Sequence, residues 1–220
     1  MYSSKTLEIV GYREEHVPNT FFQNDSGASH LAIVLPGMGY TCQMPLLYYP
    51  SKLLREMGAD VLWVEYAYNH RADYQALSEE AREQWLFADV TAASRTALAQ
   101  RAYKEITVIG KSIGTLGMMQ LLAHEWDLIE AKALWLTPLL KREQLRHVLR
   151  HHTGNSLTII GSADPHYDAK WISEMRLAPV HQLLVVDDAN HSVEVTDTLK
   201  SVEIMGQVMR RMQDFLTQRI

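Results

Sequence analysis

The sequence predicts an α/β fold: a mostly parallel sheet of about eight strands, with an antiparallel leading hairpin and helices on both faces. Three observations carry that reading. Short β-branched runs such as Leu31–Leu35 and Ile106–Ile109 alternate with stretches of helical spacing. Two strand-like runs at the start are joined tightly enough to pair with each other. The 220 residues, 47% hydrophobic and 21% charged, suffice for one α/β domain spanning 1–220 that buries its core without disulfides or metal.

In chain order, Thr6–Glu14 and Val17–Asn24 read as the hairpin strands, with Pro18 placed where an edge strand tolerates it. Leu31–Leu35 is a short apolar strand that runs into the loop Pro36-Gly-Met-Gly39. A helix follows from about Pro45 to Met57, where Gly58 stops it, and then a strand over Ala59–Tyr66. Asn69–Leu77 is polar and loop-like. Ser78 is placed to cap a helix running to about Gln100, with Leu86, Val90, Ala93 and Ala97 inward. The strand before Gly110 and the helix after Gly114 come next, then a strand over Ala131–Leu139 and a basic helix over Lys141–His152. A strand from Ser156, a helix over Ala169–Leu177 and a strand over His181–Asp187 follow. The closing helix covers Ser201–Leu216, with Met205, Val208, Met212 and Phe215 on its inner face.

Several function classes fall away on composition. A formal net charge of −5 provides no basic footprint for nucleic acid or for an anionic membrane surface. The single cysteine, Cys42, excludes intrachain disulfides and reads as a small buried hydrophobe. The N-terminal residues lack the apolar stretch of a signal peptide and no run reaches membrane-spanning length, so a cytoplasmic protein is expected. His147, His151 and His152 include an i, i+4 pair, but no zincin glutamate lies between them, and they read as a solvated basic face. Neither a Walker loop nor a dinucleotide fingerprint is present, and no cofactor or metal is expected.

Chemistry concentrates where strands end. Gly110-Lys-Ser-Ile-Gly114 must turn from strand to helix within five residues, which strains the apex and exposes the Ser112 side chain. A serine hydroxyl is a weak nucleophile and needs a base that an acid orients. Two later strands deliver Asp164, in Gly161-Ser-Ala-Asp164, and His191, in Ala189-Asn-His-Ser192, to the same sheet edge. Asp168 lies near enough to serve as the acid instead, while Asp187 and Asp188 read as turn formers.

Pro36-Gly-Met-Gly39 and those three segments, in chain order, resemble the α/β-hydrolases, in particular the small, lidless carboxylesterase and dienelactone-hydrolase-like members. The likeness extends from the strand at Leu31 to the closing helix. It implies a Ser112–His191–Asp164 triad and an oxyanion hole from the backbone N–H groups of Met38 and Ile113. Pro36 stands where many relatives carry histidine, a departure that leaves main-chain donors possible. Tyr40, Tyr66 and His166 are candidate pocket residues, the tyrosines equally suited to packing, and Lys111 reads as a local contact. The stretch from residue 139 to residue 156 is too short for a helical lid. The expected activity is hydrolysis of a carboxylic ester or thioester of small-molecule size. A serine peptidase or amidase, or a binding module that has lost its chemistry, is the alternative; a flavodoxin-like fold with an accidental elbow is a weaker rival.

Overall fold

The computed structural model describes residues 1–175 and 181–218. Its strands are β1 (Tyr2–Lys5), β2 (Asn19–Asn24), β3 (His30–Leu35), β4 (Asp60–Val64), β5 (Glu105–Lys111), β6 (Lys132–Leu136), β7 (Ser156–Gly161) and β8 (His181–Val186). They form an eight-stranded sheet in the order β1-β2-β4-β3-β5-β6-β7-β8. β2 pairs antiparallel with β1 and with β4, and every other neighbouring pair is parallel. The helices are α1 (Pro45–Glu56), α2 (Ala72–Gln75), α3 (Glu79–Leu98), α4 (Gly114–His124), α5 (Glu143–His151), α6 (Ala169–Met175) and α7 (Thr198–Thr217).

Alternation along β3 explains why the strand is apolar from Leu31 to Leu35. Leu31, Ile33 and Leu35 join one core with Leu86 and Val90 of α3 and Leu121 of α4. Ala32 and Val34 face the other way, into a core with Leu46 and Leu54 of α1 and Val208 and Met212 of α7. A strand buried on both faces has no polar side to show. Between β6 and β7 the chain carries only α5, and no helix among the described residues is long and apolar enough to cross a membrane.

Four expectations need correction. The first strand is Tyr2–Lys5, whereas residues 12–14 form a 3-10 turn in which Arg13 and Glu14 have φ of 54° and 61°. Leu7 and Ile9 are buried and alternate like a strand, and Ile9 still accepts the Val17 N–H, but side chains hold the two ends of the segment. Asn19 bonds the backbone N–H and carbonyl of Leu7, and Asp89 accepts the Tyr12 N–H. The Asn69–Leu77 stretch is not plain loop: it holds most of a 3-10 turn, Tyr68–His70, and all of α2. Tyr68 stacks on Tyr74 at 4.3 Å, which pins this polar stretch to the core. α7 begins at Thr198 because the Asp197 carboxylate accepts the Lys200 N–H, while Ser201 bonds Val195. Its buried face includes Ile204 and Leu216, with Met205 at the margin. His152 is buried, its Nε2 2.9 Å from the Ala131 carbonyl oxygen, and so leaves the solvated face to its neighbours. The helix expected over Ala169–Leu177 is α6, and Leu177 lies outside the described residues.

At the amino ends of the strands, Lys132 is 2% exposed. Its ammonium donates to Glu105 at 2.6 Å and to the carbonyls of Leu216 and Gln218, tying the end of α7 to the sheet. Lys132→Met is expected to cost about 1–3 kcal/mol, less than for a fully buried pair because Glu105 is partly solvated. Urea unfolding of the single variant and of Lys132→Met with Glu105→Gln tests this. The double variant should recover part of the loss, and an unchanged midpoint in the single variant would contradict the assignment.

Candidate active site

Ser112 sits between β5 and α4 with φ of 54°, the left-handed region that costs a side-chain-bearing residue. Its neighbours hold it there. The Ser112 N–H donates to the Leu136 carbonyl at 3.1 Å, and both the N–H and the hydroxyl of Thr115 donate to the Ser112 carbonyl. Gly114 makes the turn possible, because a Cβ at that position would overlap the Leu35 carbonyl. The helix therefore starts directly against the end of β3, which brings Ile113 and the loop after Leu35 to one place.

The loops after β7 and β8 complete the cluster. Asp164 is 4% exposed, and its Oδ2 accepts from His191 Nδ1 at 2.7 Å. The His191 Nε2 lies 2.9 Å from Ser112 Oγ. A carboxylate can only accept, so in the neutral ring Nδ1 carries the proton and Nε2 accepts from the Ser112 hydroxyl. Burial alone would raise the Asp164 carboxyl. The His191 hydrogen bond, the His166 N–H at 2.8 Å and the nearby imidazoles outweigh it and hold the group below the usual carboxylate range. Asn190 braces the histidine loop by accepting the Ser192 N–H at 2.7 Å and exchanging backbone bonds with Val193 and Glu194.

The loop after β3 is fixed from several sides. The Gly37 N–H donates to the Tyr40 carbonyl, and the Tyr66 hydroxyl donates to the Pro36 carbonyl at 2.7 Å. Among the described residues, neither the Met38 N–H nor the Ile113 N–H has a protein acceptor. Tyr66 and Met38 line a groove of about 310 Å³ that also reaches Glu65, Asn69 and His70. Neither this groove nor a larger one, about 510 Å³ between α1 and α7, includes Ser112, Asp164 or His191 among its lining residues.

The structure thus brings together Ser112, Asp164 and His191. His166 stands beside them, its ring 5.4 Å from that of His191 and its own basicity lowered by burial. Asp168 is elsewhere, accepting the Trp171 N–H at the start of α6. Tyr40 is packed beneath the loop, where its hydroxyl accepts the Leu46 N–H. Cys42 is buried, its Sγ 3.7 Å from the Val64 carbonyl oxygen, and backs the groove. No group of three His, Cys, Asp or Glu among the described residues is disposed to hold a metal ion. Sequence reasoning missed the Asn190 brace, signalled by an Asx residue beside the histidine. It also missed the buried state of Lys111, whose signal was its position next to the serine.

A family model described as an alpha/beta hydrolase domain matches residues 29–217. No curated protein matches the sequence. Among solved structures, an esterase from Pyrococcus furiosus superposes with a TM-score of 0.72 at 16% identity, over 98% of this chain and 92% of that one. A Butyrivibrio proteoclasticus protein with ferulic acid bound gives 0.71 at 13% identity, over 98% and 97%. A serine hydrolase without a lid from Xanthomonas campestris gives 0.67 at 18% identity, over 100% and 97%.

Gly114→Ala should force the start of α4 away from Leu35 and destabilise the fold by about 1–3 kcal/mol. Urea denaturation measures this, and a variant as stable as wild type would contradict the close approach.

Proposed function

The chain belongs to the alpha/beta hydrolase domain family, and we propose that it is a serine hydrolase cleaving a carboxylic ester or thioester through an acyl-enzyme. The observation that carries the reading is the unbroken hydrogen-bond chain from Ser112 Oγ through His191 to the buried Asp164. His191 Nε2 takes the hydroxyl proton as Ser112 Oγ attacks the substrate carbonyl. Negative charge then builds on the carbonyl oxygen, where the unclaimed N–H groups of Met38 and Ile113 are available to it. The imidazolium passes its proton to the departing alkoxide or thiolate, leaving the acyl group on Ser112. A water deprotonated by His191 releases the acid and restores the serine. Asp164, ionised through the neutral range, keeps Nδ1 protonated and balances the imidazolium.

The site favours a short acyl group. Only α5 lies between β6 and β7, which leaves no length of chain for an enclosing lid. Small soluble esters, or an acyl group carried on a larger partner, fit such a site better than aggregated lipid.

Turnover of p-nitrophenyl esters, thioesters and matched anilides tests the proposal. Wild type should hydrolyse short esters and thioesters, Ser112→Ala and His191→Ala should lose several orders of magnitude in kcat, and Asp164→Asn about 10⁴-fold. Folded wild type without turnover on any of these would overturn it, and faster anilide cleavage would favour the amidase reading.

A further inference from the structure

Two lysines are buried in adjacent strands, at opposite ends of the sheet. Lys132, at the start of β6, has an anion and two carbonyls around its ammonium. Lys111, at the end of β5, is 3% exposed as a residue; among the described residues its ammonium has neither an ion-pair partner nor a hydrogen-bond acceptor, and it keeps a small contact with solvent. Its ammonium lies over the Tyr40 ring, 4.6 Å from the centroid. A cation on an aromatic face regains only part of the hydration it gives up on burial. Among the described residues, no protein partner accounts for this charge.

Its surroundings suggest what does. A Cβ built on Gly37 would lie 3.2 Å from Lys111 Cδ, 3.1 Å from Tyr40 Cβ and 3.4 Å from Ser112 Cβ. The lysine stem thus runs directly beneath the loop that carries the Met38 N–H. Tyr40 closes that loop through its carbonyl and ties it to α1 through its hydroxyl. We propose that Lys111 is a positioning residue: its buried stem and its ammonium, seated on Tyr40, set the Gly37–Tyr40 loop and place a positive charge behind the site where the oxyanion forms. The proposal rests on the serine-hydrolase reading. A fixed cation in a water-poor region favours developing negative charge more than it favours a neutral ground state, so its effect belongs in kcat.

Charged and titratable groups face Lys111 from each neighbouring element. Asp164 and His166 belong to the β7 loop, Tyr40 to the β3 loop, and Glu194 stands behind Tyr40 in the histidine loop. Burial lowers the ammonium to about 8, with Asp164 pulling the other way. Tyr40 is pushed up to about 12 by burial and stays neutral across that range. The sign follows: Lys111 is charged below about 8 and loses its charge above it, so activity should fall as pH rises through that value.

The experiment is the pH profile of kcat and KM for a short ester, with wild type, Lys111→Met and Lys111→Arg. Wild type should show a descending limb near pH 8. Lys111→Met should lose about tenfold to a hundredfold in kcat at pH 7 with little change in KM, and its descending limb should vanish. Lys111→Arg, permanently charged, should retain part of the activity and carry it past pH 9. Should Lys111→Met fail to fold, the wild-type and Lys111→Arg profiles decide alone. A wild-type profile flat through pH 9, or Lys111→Met with wild-type kcat and the same limb, overturns this inference and leaves the serine-hydrolase reading standing. A wild type inactive at every pH removes both.

Discussion

The site depends on one constraint, the left-handed backbone at Ser112. A chain that must leave β5 and enter α4 without a loop can do so only if its apex residue accepts an unfavourable conformation. The surroundings enforce it through the Leu136 carbonyl on one side and Thr115 on the other. From that turn the rest follows by proximity. α4 starts against the end of β3, Ile113 faces the loop after Leu35, and the parallel order of β6, β7 and β8 carries Asp164 and His191 to the same edge.

The two ends of the sheet use buried charge differently. At the amino ends, Lys132 is fully partnered and holds the last helix to the sheet. At the carboxyl ends, the charged groups are held for what they face: Asp164 is spoken for by His191, and Lys111 rests on a tyrosine ring without an anion of its own. A second buried network stiffens the same edge from below. Tyr66 bonds Pro36 and stacks on Tyr68, which donates to Asp89 in α3. That chain of rings connects the loop carrying the Met38 N–H to α3.

How much of this was legible in the sequence depended on how local the cause was. The order of strands and helices showed in alternating runs because β3 through β7 are buried on both faces and leave no polar side to blur the pattern. Ser112, Asp164 and His191 stood out because each sits just past a strand end, a position that topology alone makes chemically interesting. The leading segment misled because Leu7 and Ile9 alternate like a strand, while the hydrogen bonds at Leu7 and Tyr12 come from the side chains of Asn19 and the distant Asp89. Tyr68 and Tyr74 were hidden in polar company, and their stacking appears only once the chain has folded. Lys111 was visible next to the serine, but neither its burial nor its tyrosine platform is a property of neighbouring residues.

The central claim is that Ser112 is a nucleophile activated by His191. Its most direct test is reaction of the intact protein with a fluorophosphonate, followed by mass measurement and peptide mapping. The account predicts one adduct, on Ser112, formed by wild type and absent from folded His191→Ala. A folded wild type that takes up no label, or an adduct mapping to another residue, would contradict it.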